Sequence, residues 1–233
     1  MKICMVFPMY QPNYQRDGIG DYTRILVENL RALGHEVYVV ASAGYKGNDK
    51  NVFKIFREKW GINEVKQICR LAREYKFDIV HIQYTPVSYG FGVAFKLLPL
   101  FIRLTCKGTK CVTTFHTLVG GKWISKVNAA LLVIFSHRII TTHEELTCLY
   151  RKYFGVFKKK CREIPIGSNI IPGNIDTASV RADIEQNFGI DKNAVLLVNF
   201  GFPNPWKGLE NLCNALKILV KKNNYYLLLL YSM

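Results

Sequence analysis

The chain has 233 residues, 49% apolar and 21% charged, which is long and apolar enough to close a core and excludes intrinsic disorder. Lys and Arg number 32 against 17 Asp and Glu, a formal charge of +15 that selects anionic partners: phosphorylated substrates, anionic lipid headgroups or nucleic acid. Seven scattered cysteines exclude a paired disulfide framework and suit buried thiols in a reducing compartment; Cys106 and Cys111 lack a second pair, so no metal site is expected.

In chain order, residues 2–7 read as a strand, 21–33 as an amphipathic helix stopped by Gly34, and 36–41 as a second strand. Met1-Lys2-Ile3 leads straight into that first strand rather than into a secretory leader, so the expected location is cytoplasmic. Residues 63–75 read as a helix and 79–83, 110–115, 138–142 and 162–166 as strands, with helical stretches between them. Several strands are continuously apolar, as when both faces of a sheet are covered. The expected architecture is therefore α/β, a Rossmann-like doubly wound parallel sheet.

The apolar stretch 91–105 is broken by Lys96, Pro99 and Arg103, and 127–135 is shorter than a bilayer requires, so no spanning helix is expected. Large apolar side chains with isolated cations suit residues 91–103 equally to a membrane interface and to a core-packed helix. A Gly/Pro/Asn-dense stretch at 165–176 marks a linker. A helix at 178–188, a strand at 194–200, a helix at 208–222 and a strand at 225–230 then open a second Rossmann-like domain that is incomplete at residue 233. The expected domains are 1–170 and 171–233. Residues 1–170 hold 26 Lys/Arg against 12 Asp/Glu, no acid lies between Asp78 and Glu144, and residues 151–162 carry six cations interleaved with aromatics. The basic field belongs to the first domain.

Gly18-Ile19-Gly20-Asp21-Tyr22-Thr23 follows the first strand and opens a helix, yet it is no dinucleotide fingerprint. Thr23 stands in the third glycine position, the loop from Pro8 is long, and no acid ends the second strand. Two glycines at a helix start allow close approach of a phosphate, and a ligand-free turn has equal standing. His116 ends the strand 110–115, where open α/β sheets place their ligand crevice. His81 lies inside its strand and reads as a satisfied core histidine, with Gln83 and Tyr84 nearer the crevice. Glu144 and Glu145 follow another strand end; helix-dipole duty suffices for Glu145, and Glu144 stays open between that and the cleft. Lys207, before Gly208 at a helix start, suits a phosphate.

Residues 18–37, 78–83, 113–117, 164–169 and 200–210 together, in order and spacing, resemble glycosyltransferase family 4 over essentially the whole chain. The resemblance implies a GT-B fold, two Rossmann-like domains facing a cleft, of which the chain holds the acceptor-side domain and the opening of the donor-side one. It implies retaining, metal-independent transfer of a sugar from a nucleotide-sugar to a lipid-linked or saccharide acceptor, in polysaccharide or glycolipid synthesis, with no cofactor. His116 matches the histidine that reaches the transferred sugar, Gly18, Gly20 and Lys207 match groups on the donor diphosphate, and Asp21, Gln83, Tyr84 and Glu144 are candidate cleft residues. Where relatives often carry an arginine this chain has Phe202, followed by Pro203 and Asn204, and the donor-gripping glutamate pair falls beyond Met233. The chain alone is expected to be inactive. An anionic membrane surface, peripheral at the inner face of the cell membrane, is the expected location of the basic domain, through residues 91–103 and 151–162. Alternatives are a basic membrane- or nucleic-acid-binding module, with nucleic acid disfavoured for want of a motif, and a subunit completed by a partner chain supplying the missing domain.

Overall fold

The computed structural model describes residues 1–12, 17–57, 60–90, 92–117, 123–168, 173–174, 176–201, 207–221 and 223–230. Phe91, Asn169 and the Phe202, Pro203 and Asn204 positions singled out above lie outside these residues. The chain divides into two compact units, Met1–Asn169 and Ile170–Met233.

In the first unit, strands β1 (Lys2–Val6), β2 (Glu36–Ser42), β3 (Val52–Phe56), β4 (Ile79–Tyr84), β5 (Lys110–Phe115), β6 (Arg138–Thr141) and β7 (Cys161–Glu163) form one parallel sheet in the order β3-β2-β1-β4-β5-β6-β7. Helices α1 (Gly18–Ala32), α2 (Ile62–Glu74), α3 (Pro86–Tyr89), α4 (Leu98–Thr105), α5 (Trp123–Phe135) and α6 (Glu144–Phe154) connect them. Every residue from Val37 to Ala41 is buried, which requires cover on both faces of β2 and explains its unbroken apolar run. Gly34 ends α1 at φ +82°, its N–H donating to the Arg31 carbonyl at 2.9 Å; a side chain there would be strained.

Two elements differ from the sequence expectation. Strand β3 was not anticipated: Val-Phe-Lys-Ile-Phe is a sheet edge, only Val52 is buried, and the lysine interrupts its apolar signal. Strand β7 stops at Glu163, well short of residue 166. In the second unit α7 (Thr177–Phe188), β8 (Val195–Phe200), α8 (Leu209–Leu219) and β9 (Tyr225–Leu230) follow in turn, and β8 and β9 pair in parallel from Val195↔Tyr225 to Phe200↔Leu230. This is the Rossmann-like β-α-β opening expected from the pattern, and no helix among the described residues is long and apolar enough to cross a membrane.

The segment that could have been interfacial contributes to the core. Phe95, Leu98 and Ile102 are fully buried, and α4 packs against α2 and α5. Lys96, counted above as a cation for a membrane surface, is itself buried, its ammonium donating to the carbonyls of Gly90 at 2.6 Å, Gly92 at 2.7 Å and Tyr89 at 3.4 Å. Desolvation pushes its pKa down to about 8, so it still carries its charge at neutral pH and gathers the carbonyls that end α3. Lys160 does the same for α5, reaching the carbonyls of Ile134 at 2.8 Å, Ser136 at 3.3 Å and Val133 at 3.4 Å. Lys96→Met keeps the aliphatic stem but leaves carbonyls unpaired, so urea unfolding is expected to show a loss of about 2–3 kcal/mol. Lys152→Met, on the exposed face of α6, is expected to stay within about 0.5 kcal/mol.

Candidate functional site

Strand order reverses between β1 and β4, and open parallel sheets bind ligands outside the carboxyl ends of the strands at such a switch point. His116 stands one strand away from it, at the carboxyl end of β5. Its backbone N–H extends the ladder to the Tyr84 carbonyl at 3.0 Å, its Nε2 lies 2.9 Å from Gln83 Oε1, and its ring meets the Tyr22 ring edge-on at 5.0 Å between centroids. The side chain is half-buried, and desolvation lowers its pKa from 6.5 to about 4. At neutral pH the imidazole is uncharged, suited to exchanging hydrogen bonds with hydroxyls rather than to donating a proton.

Beneath it runs a buried polar chain. Gln83 Nε2 lies 3.3 Å from Met5 Sδ and 3.4 Å from His81 Nε2, and His81 Nε2 lies 2.8 Å from Thr114 Oγ1. Register sets this up, pairing Met5 with His81 and Gln83 with Thr114 so that alternate side chains share one face. His81 is the satisfied core histidine of the sequence reading, its pKa lowered to about 4 by burial and then by His116. Gln83 and Tyr84 depart from the expectation of a cleft position, because both are fully buried. Gln83 reaches a ligand only through His116. The Tyr84 ring turns into an aromatic cluster with Tyr89 and Phe115, and its hydroxyl has no hydrogen-bond partner among the described residues.

The start of α1 separates the two glycines. A Cβ on Gly20 would sit 3.1 Å from the Met9 carbonyl oxygen, which would have to give by a few tenths of an ångström; a Cβ on Gly18 would meet nothing within 4 Å. The helix-start amides are not open either. Asp17 is the N-cap, and its Oδ1 accepts the Ile19 N–H at 3.1 Å. Burial raises the Asp17 pKa, with the Ile19 and Gly20 amides opposing the rise. An anion at this end of α1 must displace that carboxylate, a correction to the reading of Gly18 and Gly20 as a ready phosphate cradle. Asp21 is buried on the same turn, 3.8 Å from the Arg24 guanidinium.

Gly18, Tyr22, Ile25, Leu26 and Asn29 on α1 line, with Ile166, Gly167 and Ser168, a largely apolar cavity of about 400 Å³. Tyr22 forms a wall of this cavity and touches His116, so the two features adjoin. The reading from sequence passed over Tyr22, although helical spacing from Gly18 places it, Ile25 and Asn29 on one face. Glu144 lies apart from this cluster as the first residue of α6, exposed beside Glu145 where the helix dipole favours both acids. In the second unit Gly208 holds φ +64° as the N-cap of α8, and Lys207 Nζ lies 4.0 Å from where a Cβ on Gly201 would be, at the carboxyl end of β8. Among the described residues no three His, Cys, Asp or Glu side chains gather to hold a metal ion.

Gly20→Ala is expected to cost about 1–3 kcal/mol in urea unfolding, since the Met9 carbonyl must give way, whereas Gly18→Ala is expected to leave stability within about 1 kcal/mol. His81 and His116 bind fewer protons folded than unfolded between pH 6.5 and about 4, so stability rises with pH across that window and is lost on acidification. Each imidazole contributes at most roughly 3 kcal/mol to this loss, and His81→Leu is expected to flatten the fall in melting temperature between pH 7 and 4.5.

The fold matches three solved structures well. A glycosyltransferase from Rickettsia africae ESF-5 aligns at TM-score 0.71 and 19% identity over 98% of this chain and 59% of its own. The catalytic domain of starch synthase IV from Arabidopsis thaliana, bound to ADP and acarbose, aligns at 0.62 and 12% over 98% and 68%. Anabaena HepE in complex with UDP-glucose aligns at 0.60 and 13% over 100% and 70%. The chain thus spans 59% of the length of the Rickettsia structure and shares with all three the GT-B-like architecture. No curated protein matches it in sequence. The profile of glycosyltransferase family 4 matches residues 16–170, which include the start of α1 and His116, and on that match over more than half its length the chain belongs to glycosyltransferase family 4.

Proposed function

We propose that the chain is part of a retaining hexosyltransferase that moves a sugar from a nucleotide-sugar to a lipid-linked or saccharide acceptor. The observation that carries this reading is His116, held neutral at the carboxyl end of β5 and adjoining, through Tyr22, the cavity along α1. In this proposal the acceptor hydroxyl attacks the anomeric carbon on the face the diphosphate leaves. The new C–O bond forms as the carbon–phosphate-oxygen bond breaks, and the departing oxygen takes the hydroxyl proton. The reaction then asks for little side-chain acid or base, and a neutral imidazole suits it by bonding a sugar hydroxyl. Charge building on the diphosphate calls for a cation, and Lys207, whose ammonium lies near Gly201 after β8, is the candidate. No metal or cofactor has a part in this scheme.

The apolar lining from Ile25, Leu26 and Ile166 favours an acceptor with an apolar portion, as a lipid-linked sugar has. A membrane-facing surface remains in the proposal, without Phe95, Leu98 and Ile102, which are core. The surface is left to residues 151–162, where Val156 is 93% exposed, with Lys126 of α5 added over the Tyr153 ring at 5.2 Å. Sugar turnover is proposed to need more than these 233 residues, given a second sheet of two strands and relatives of greater length.

Titrating the labelled chain with millimolar UDP-glucose, ADP-glucose and UDP-N-acetylglucosamine tests the core of the proposal. Amide shifts are expected on Gly18, Tyr22 and His116 with at least one donor and are expected to shrink in His116→Ala. Shifts absent there for all three donors would overturn it.

A further inference from the structure

We propose that Gln83 is a positioning residue which, backed by Met5, fixes the tautomer of His116 so that Nε2 carries the proton and Nδ1 is left as the ring's acceptor. This deepens the proposed sugar-transfer reading and rests on it for its functional meaning, because an Nδ1 acceptor is what a sugar hydroxyl would donate to.

The argument turns on which end of the Gln83 amide faces which neighbour. A thioether sulfur accepts hydrogen bonds and donates none, so the group 3.3 Å from Met5 Sδ is the amide NH₂. That sends Oε1 toward His116. An amide oxygen only accepts, so the His116 nitrogen 2.9 Å away, Nε2, must be the donor. The third neighbour agrees. His81 Nε2 lies 3.4 Å from the same amide nitrogen and 2.8 Å from the Thr114 hydroxyl, and it serves both as an acceptor when its own proton sits on Nδ1. Turning the amide over would set its oxygen against the Met5 sulfur, and in that His81 tautomer against the His81 lone pair as well, acceptor facing acceptor in a buried site. Among the described residues, Gln83, His81 and Tyr22 neighbour His116, none of them ionised at neutral pH. The tautomer is therefore left to hydrogen bonding rather than to a neighbouring charge.

The test is a long-range proton–nitrogen spectrum of the imidazole rings in the ¹⁵N-labelled chain. His116 is expected to show a protonated Nε2 and a bare Nδ1; the reverse pattern overturns the proposal. In Gln83→Glu, a carboxylate in place of the amide favours the imidazolium, and the His116 midpoint is expected to rise by about one to three pH units. A rise of less than about one unit in the folded variant counts against Gln83 acting on the ring. Should that variant fail to fold, Met5→Leu carries the test, since it nearly conserves volume while removing the acceptor. Averaged shifts from a mixture of tautomers are expected, and an unchanged tautomer overturns the role given to Met5. The donor titration above reads the function separately: normal tautomer behaviour without donor shifts would sink the sugar-transfer reading and leave the Gln83 assignment standing, and the converse holds as well.

Discussion

A parallel sheet covered on both faces leaves water no access to its central strands, so any polar side chain placed there must find its partner within the protein. Strand β4 carries two such residues, His81 and Gln83, on one face. Thr114 from β5 and Met5 from β1 answer them because strand register puts them alongside. The site grows out of this requirement. His116 is hooked to β4 twice, through its backbone to Tyr84 and through its ring to Gln83, so the side chain at the strand end is held by the same ladder that builds the core.

The alternation of strands and helices made the parallel sheet legible from sequence, because continuous apolar runs such as Val37–Ala41 occur only where both faces are buried. His116 was legible because it directly follows the strand 110–115, at its carboxyl end. Strand β3 was not, since an edge strand is buried on too little of its surface to show that pattern. Gln83 and Tyr84 were assigned to the crevice by proximity along the chain, yet side chains at a strand end still alternate between faces, and neighbours on both sides bury these two. Gly18 and Gly20 looked equivalent in sequence. The distinction lies in a contact with Met9 brought there by the long connection from β1, which spacing does not reveal.

Charge was legible as a total and misleading in detail. Lys96 and Lys160 each collect carbonyl oxygens at a helix end, and Lys96, being buried, belongs to no surface field. The start of α1 shows the opposite case, an acid where an anion site was expected: Asp17 satisfies the amide a phosphate would use. Helix ends need partners whether or not a ligand is present. A side chain that supplies the partner gives the free protein a stable resting arrangement and obliges a ligand to compete with it.

All seven strands of the large sheet, and the helices that cover it, come from residues 2–163, and none of its pairings awaits anything downstream. During synthesis the ribosome can release this unit to close its core while residues 170 onward are still being polymerised. The β8–β9 pair, with Phe200 and Val198 largely exposed, is synthesised after that unit. Its own consolidation is then a late event that sets how long those apolar side chains stay open to chaperones.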